Sequence, residues 1–343
     1  MGRISTTVAG LPPGAFAFVM ATSIISVGMD QQGFALPSTV LLVVAATAYA
    51  LLLMALVARL VRHRDRAVAD LHDPRLAFGY FTVVAGSGTL AVRLLEVTPR
   101  VSAGLLAAAA LVWLVLGYAV PWAAVLSRAE RLVLTEANGT WFIWVVASQS
   151  VATTSAGLEP LVDNGREGLA ILAVVAWSVG VVLYAACAVF VSLRLVLYAL
   201  TPQDLNPPYW VAMGAVAITV VAGAKIVEMT STPMVDATSG LIAGLVVLCW
   251  AWATWLIPVL VAVGVWRHVV HRIPLRYEST WWSIVFPLGM YAVAGMYLGR
   301  ADSLPIVESI GAGWLWVAVA AWTFAAVSMA LGWVRPDRRS VGA

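Results

Sequence analysis

The sequence predicts an all-α membrane protein: ten transmembrane helices, arranged as five parallel helical hairpins in quasi-fivefold arrangement around a central pore. Two observations carry that expectation. The first is composition: 62% of the 343 residues are hydrophobic and 11% charged. Apolar runs of eighteen or more residues need a bilayer to cover them; 36–60, 104–126, 169–193, 240–266 and 313–334 are the clearest. The second is a repeat. Each long run follows a shorter, polar-flecked stretch, and these begin near Pro13, Leu76, Asn138, Pro207 and Ser279. Starts roughly 60 to 70 residues apart leave room for one hairpin per repeat. A unit with two crossings always re-enters from the same side, so such units are related by an axis along the membrane normal. Five of them give an inner ring of short helices within an outer ring of long ones. The repeats cover 13–61, 76–126, 138–199, 207–269 and 279–334, within one transmembrane domain, 1–343.

Taken in order, the short stretches share a chemistry. The first carries Thr22, Ser23, Ser26 and Gly28; the second Thr82, Gly86, Ser87, Gly88 and Thr89; the third Ser148, Gln149, Ser150, Thr153 and Thr154. The fourth has Gly214, Thr219 and Gly223, and the fifth Ser283, Pro287, Gly289 and Gly295. Hydroxyls gain nothing from lipid, and Gly or Pro weakens a helix, so concentrating both in one set implies that set is shielded. Thr22, Ser26, Ser87, Ser148, Gln149, Thr219 and Ser283 are therefore expected to line a neutral pore. Close helix packing is the competing explanation, and Gly240/Gly244 and Gly295/Gly299 have GxxxG spacing.

Charge gives the orientation. With the N-terminus in the cytoplasm, fifteen of the twenty Lys and Arg residues fall on the cytoplasmic side and five (Arg93, Arg100, Arg166, Lys225 and Arg300) outside. The positive-inside rule then places both termini in the cytoplasm of a multi-pass cell-membrane protein. The basic stretch 59–75 is expected to lie on anionic lipid. Phe16 to Gly28 reads as a retained first helix rather than a signal peptide. Arg93, Lys225 and Arg300 follow the ends of short helices and make a partly basic outer mouth, each with an acid close behind: Glu96, Glu228 and Asp302. Such acids can simply pair with the cations, or the cations can concentrate anions.

Enzyme chemistry has no foothold. His63, His72, His268 and His271 all fall in loops, and HExxH, GxxxxGK, a nucleophile elbow and CxxC are absent. No cofactor, metal or nucleic-acid partner is expected; Cys187 and Cys249 lie in apolar spans, where a disulfide is not expected. Asn138-Gly139-Thr140 is a formal glycosylation sequon on the cytoplasmic side and carries no weight.

Three segments resemble the tellurite-resistance/dicarboxylate transporter family: Pro12-Pro13-Gly14-Ala15-Phe16 with Met20-Ala21-Thr22-Ser23, Asn138 to Ser150, and Trp281-Trp282-Ser283-Ile284-Val285-Phe286-Pro287-Leu288-Gly289-Met290. That family includes bacterial tellurite-resistance proteins, fungal malate and sulfite exporters, and the slow anion channels of plant guard cells. The resemblance spans the whole chain. It implies a homotrimer with one pore per protomer, plugged at mid-membrane by a Phe on the ninth helix. The matching position is Phe286, with Ile284 the alternative if the register differs by two. What it implies for function is an anion channel or permease passing chloride, nitrate, sulfite or C4-dicarboxylates. A proton-coupled dicarboxylate carrier, with Glu96 and Glu228 as the near titratable groups, is the alternative, and a membrane enzyme or scaffold a remote third.

Overall fold

A computed structural model of the protein describes residues 8–126, 133–230 and 232–334. Among them every regular element is helical. Arg3, Arg128, Arg131, Arg335, Arg338 and Arg339, all counted in the charge asymmetry, lie outside the described residues. In chain order the α-helices are α1 (Ala17–Gln31), α2 (Ala35–Arg62), α3 (Arg64–Leu71), α4 (Thr82–Leu94), α5 (Pro99–Pro121), α6 (Phe142–Leu158), α7 (Arg166–Leu197), α8 (Val211–Val227), α9 (Pro233–Val265), α10 (Trp282–Ala301) and α11 (Pro305–Val334).

Eight helical stretches are long and apolar enough to cross a membrane. The chain is thus a multi-pass membrane protein. Two helices, α1 and α6, fall outside those eight. At 1.5 Å per residue α1 reaches about 22 Å, short of a hydrocarbon core of about 30 Å, while α6, of the same length as α8, carries a denser run of polar side chains. Burial explains how they are tolerated, since nearly every residue of both is enclosed by protein. The three short spans through α4, α8 and α10 are 83%, 78% and 89% buried over their most apolar stretch, whereas the long spans are 6% to 33% buried. The long helices accordingly show apolar side chains to lipid, as Val43, Leu51, Leu114, Val182 and Leu248 do.

Each short helix packs along the long helix that follows it: α1 on α2, α4 on α5, α6 on α7, α8 on α9 and α10 on α11. The short helices also touch one another in cyclic order, α1–α4–α6–α8–α10 and back to α1. Four of them are preceded by a 3₁₀ turn, at Ala77–Phe81, Gly139–Trp141, Pro207–Trp210 and Ser279–Trp281. Asn138 caps the second of these turns, its side chain accepting a bond of 2.8 Å from the Thr140 amide. The asparagine of the sequon is therefore a structural cap.

Two packing expectations divide. A Cβ at Gly295 would lie 3.0 Å from the Gly311 Cα, and one at Gly311 would lie 2.5 Å from the Met296 amide, so α10 and α11 meet backbone to backbone. Gly240 and Gly244 meet nothing within 4 Å and are exposed, so their spacing builds no contact within this chain. The basic stretch after α2 is also partly different from expectation. Arg59 is buried, donating to Asp70 at 2.6 Å and to the Tyr80 hydroxyl at 3.0 Å, and so it clamps α3 onto the bundle rather than meeting lipid. Cys187 and Cys249 are free thiols.

Gly311→Val should force α10 and α11 apart and lower the detergent-solubilised thermal stability by about 1 to 3 kcal/mol, the usual cost of overpacking. Gly244→Val, at an open position, should leave it unchanged.

Candidate functional site

The short helices enclose a narrow inner cavity of about 20 Å³, room for one water-sized guest. Its wall follows helical spacing: Ile24 and Val27 from α1, Thr89 and Val92 from α4, Ser150 and Thr153 from α6, Ile218, Val221 and Lys225 from α8, Met290, Val293 and Tyr297 from α10. A register underlies this. Ile24, Gly88, Ser150, Ile218 and Met290 each stand twelve residues after Pro12, Leu76, Asn138, Asn206 and Glu278, which lie at or one residue before the repeat starts predicted above and are the aligned starts of the five repeats. At the helix N-termini a second cavity of about 270 Å³ opens, and at the C-termini a third of about 420 Å³.

Phe286 belongs to the helical face that joins the first two. Ser283 lines the N-terminal vestibule and Met290 lines the inner cavity; Phe286 lies three residues after one and four before the other, on one stripe of α10. It is 1% exposed. Eight residues from each repeat start, the other short helices carry Met20, Val84, Val146 and Gly214 at the equivalent place. Gly214 lets the next residue, Pro287, come close: a Cβ there would lie 2.8 Å from the proline Cγ. Pro287 has no amide hydrogen, so the Ser283 carbonyl loses its helical partner at this level. Ile284 is turned about 130° off the stripe at 100° per residue.

The polar residues expected on the pore point mainly the other way. Trp322 on α11 donates to the Thr22 hydroxyl at 3.0 Å, and Trp113 on α5 donates to Ser148 at 2.9 Å. Ser87 shares a bond of 2.8 Å with Tyr49 of α2, Ser26 donates to the Ser38 carbonyl at 2.7 Å, and the Gln149 amide donates to the Trp177 carbonyl at 3.1 Å. Thr219 bonds back to Ala215, and its carbonyl accepts from Trp177. None of these six lines the inner cavity; of the seven, Ser283 alone borders one of the three cavities described above. The physical reason is that a Trp or Tyr on a membrane-facing helix gains from a partner for its polar hydrogen, and for Trp113, Trp177 and Trp322 the short helices supply it, with Tyr49 and Ser87 sharing one bond. Thr89, Ser150 and Thr153 line the cavity instead, their hydroxyls bonded back to Ala85, Val146 and Gln149. Counting twelve and fifteen residues from each repeat start would have found Ser150 and Thr153.

The C-terminal mouth gathers Arg93, Lys225 and Arg300 with Asp30, Glu96 and Glu228. The acids expected to pair with the cations three residues on do not. Arg93 donates to Asp30 at 2.8 Å and to Ser26 and Ser38, bridging α4 to α1 and α2. Arg300 pairs with Glu308 of α11 at 2.9 Å. Tertiary partners displace the sequence neighbours because the α1 and α11 ends converge on the same rim. Among the described residues Lys225 has no carboxylate partner: its Nζ sits 4.6 Å from the centre of the Tyr297 ring, and the side chain borders both the mouth and the inner cavity.

The profile of the voltage-dependent anion channel family matches residues 10–330. The chain belongs to that family. Similar proteins carry the names of membrane proteins and transporters. An uncharacterized membrane protein of Mycobacterium tuberculosis is 62% identical over 147 residues, 43% of this chain and 75% of that protein. An uncharacterized transporter of Methanocaldococcus jannaschii is 23% identical over 318 residues, 90% of each chain, and a second from the same organism 24% identical over 196 residues, 57% of this chain and 56% of its own length. Three cavities thus lie along the short helices, and among the described residues Lys225 is the cation of the C-terminal mouth that meets an aromatic ring in place of a carboxylate.

Ser148→Ala tests the orientation of the hydroxyls. Orphaning the Trp113 indole should lower stability by about 1 to 2 kcal/mol and leave anion flux unchanged. The double variant Ser148→Ala/Trp113→Phe should recover part of that loss. A stability-neutral single variant with altered flux would place Ser148 on the pore.

Proposed function

We propose that this protein is an anion channel or permease of the cytoplasmic membrane, passing small anions such as chloride, nitrate or sulfite between the five short helices. In this reading the ten principal helices all span as five parallel hairpins of one domain, both termini are cytoplasmic, and the N-terminal vestibule opens to the cytoplasm. Phe286 is the closing element. The observation that supports the reading is the stripe Ser283–Phe286–Met290 in a member of an anion channel family: Ser283 borders the vestibule, Met290 borders the inner cavity, and the buried Phe286 comes between them along the helix. The inner wall is apolar apart from hydroxyls and Lys225, and a weakly polar lumen binds loosely enough to release. C4-dicarboxylates are the larger substrate class, and a homotrimer rests on the family resemblance.

Coupling to protons has less support. It needs a titratable group reached from both sides, and Glu96 and Glu228 border the C-terminal mouth alone. Reconstituted protein should conduct nitrate or chloride without a proton gradient; uphill malate uptake driven by a pH gradient would favour the carrier.

Phe286→Ala should raise anion flux in liposomes with a stability loss below the roughly 3 to 5 kcal/mol typical of a packed core Phe. Unchanged flux with the full loss would assign the ring to packing. Lys225→Gln should lower flux several-fold, more at low ionic strength than at high, because the lost attraction is a screened Coulomb term.

A further inference from the structure

The vestibule at the N-termini of the short helices differs from the C-terminal mouth in its chemistry. The mouth carries three carboxylates among its walls, and two of its three cations are already paired. The vestibule is bordered by the starts of all five repeats and by no carboxylate; Arg75 is its one formal charge, standing at the rim within Coulombic reach of Asp204. Its walls are drawn tightly together. Gly79 packs against Gly14 and Pro13, and Gly139 against the Pro208 backbone, so the helix starts meet with little between them. Four of the five starts have no side-chain cap; Asn138 alone caps its own. The positive ends of the helix dipoles therefore face one small space.

Two side chains there have polar atoms with no use in the fold. Ser283 is 8% exposed, borders the vestibule and makes no hydrogen bond among the described residues, whereas Thr89, Ser150, Thr153 and Thr219 all bond back one turn. The Asn206 side chain, on the same wall, makes no hydrogen bond either; its Oδ1 is buried, so the Nδ2 hydrogens are the donors that it can offer a guest. A shielded hydroxyl and an amide NH2 group that the fold leaves without partners are free to donate to a guest in the cavity. Thr280 is not available in the same way, because its hydroxyl donates to Glu278 at 3.3 Å.

We propose that the vestibule is an anion-binding site, with the Ser283 hydroxyl and the Asn206 amide as its side-chain donors and the uncapped helix starts as its field. The separated donors suit a small anion with several acceptor oxygens, of the nitrate or sulfite class. Ser283 precedes Phe286 by three residues, about 4.5 Å along the helix. A bound anion thus waits directly beneath the constriction, as the loading position of the pore. The proposal rests on the anion-transport reading but is tested by binding, so the two can fail separately.

The experiment is nitrate-dependent thermal stabilisation of the solubilised full-length protein, which reports binding to the native state by linkage, run beside nitrate flux in liposomes. Wild type should show a saturable rise in Tm. Ser283→Ala and Asn206→Leu should each raise the half-effect concentration by about tenfold, the usual consequence of losing one donor to a charged acceptor; Ser283→Thr should restore it. Ser148→Ala, whose hydroxyl serves Trp113, should leave the half-effect concentration at the wild-type value. An unshifted half-effect concentration in both Ser283→Ala and Asn206→Leu, or no saturable stabilisation of wild type, overturns the site even if flux persists. Saturable stabilisation lost in the two variants, with no anion flux in wild type, keeps the site and overturns the transport reading.

Discussion

The arrangement depends on one exchange between the two sets of helices. The long helices face lipid, and four of them bear a Trp or Tyr whose polar hydrogen has no acceptor there. Each short helix is rich in hydroxyls and carbonyls that lipid cannot satisfy. Trp322 to Thr22, Trp113 to Ser148, Trp177 to the Thr219 carbonyl and Tyr49 with Ser87 resolve both problems at once. Every such bond fixes the rotation of a short helix about its own axis, because the donor lies on one side only. The face left over is then the one turned toward the other short helices. The wall of the inner cavity is set as much by what the tryptophans take as by what a guest requires.

This also explains what could be read from the sequence and what could not. The five repeats, their short-long alternation and the shielding of the short members follow from hydrophobic length and from the placement of Ser, Thr, Gly and Pro. Which hydroxyl faces inward does not follow, because Ser148 and Ser150 are adjacent in composition and differ only in rotation. Ser148 meets an indole on the preceding hairpin, and Ser150 borders the cavity. That partner lies 35 residues away in the chain, beyond the reach of any local pattern. The same limit applies to the charges. Arg93 and Glu96 look like a helical pair, yet Asp30 from the first hairpin holds the arginine.

The charge of the C-terminal mouth is therefore organised differently from its inventory. Arg93 is a strut joining three helices, and Arg300 joins α10 to α11. Lys225 leans on an aromatic face, which stabilises a cation without neutralising it. One of three similar residues thus keeps its full field for whatever passes, while the other two hold the rim in shape.

The backbone contact between Gly295 and Gly311, together with the seat of Pro287 on Gly214, has a mechanical consequence. The helix that bears Phe286 is wedged on two sides and has no slack to slide or tilt. On the proposed reading, opening falls to the ring itself, turning about two side-chain bonds between rigid walls. Such a shutter is light. Its rhythm is that of rotamer exchange rather than of domain rearrangement, and bilayer thickness or tension has almost no lever with which to move it.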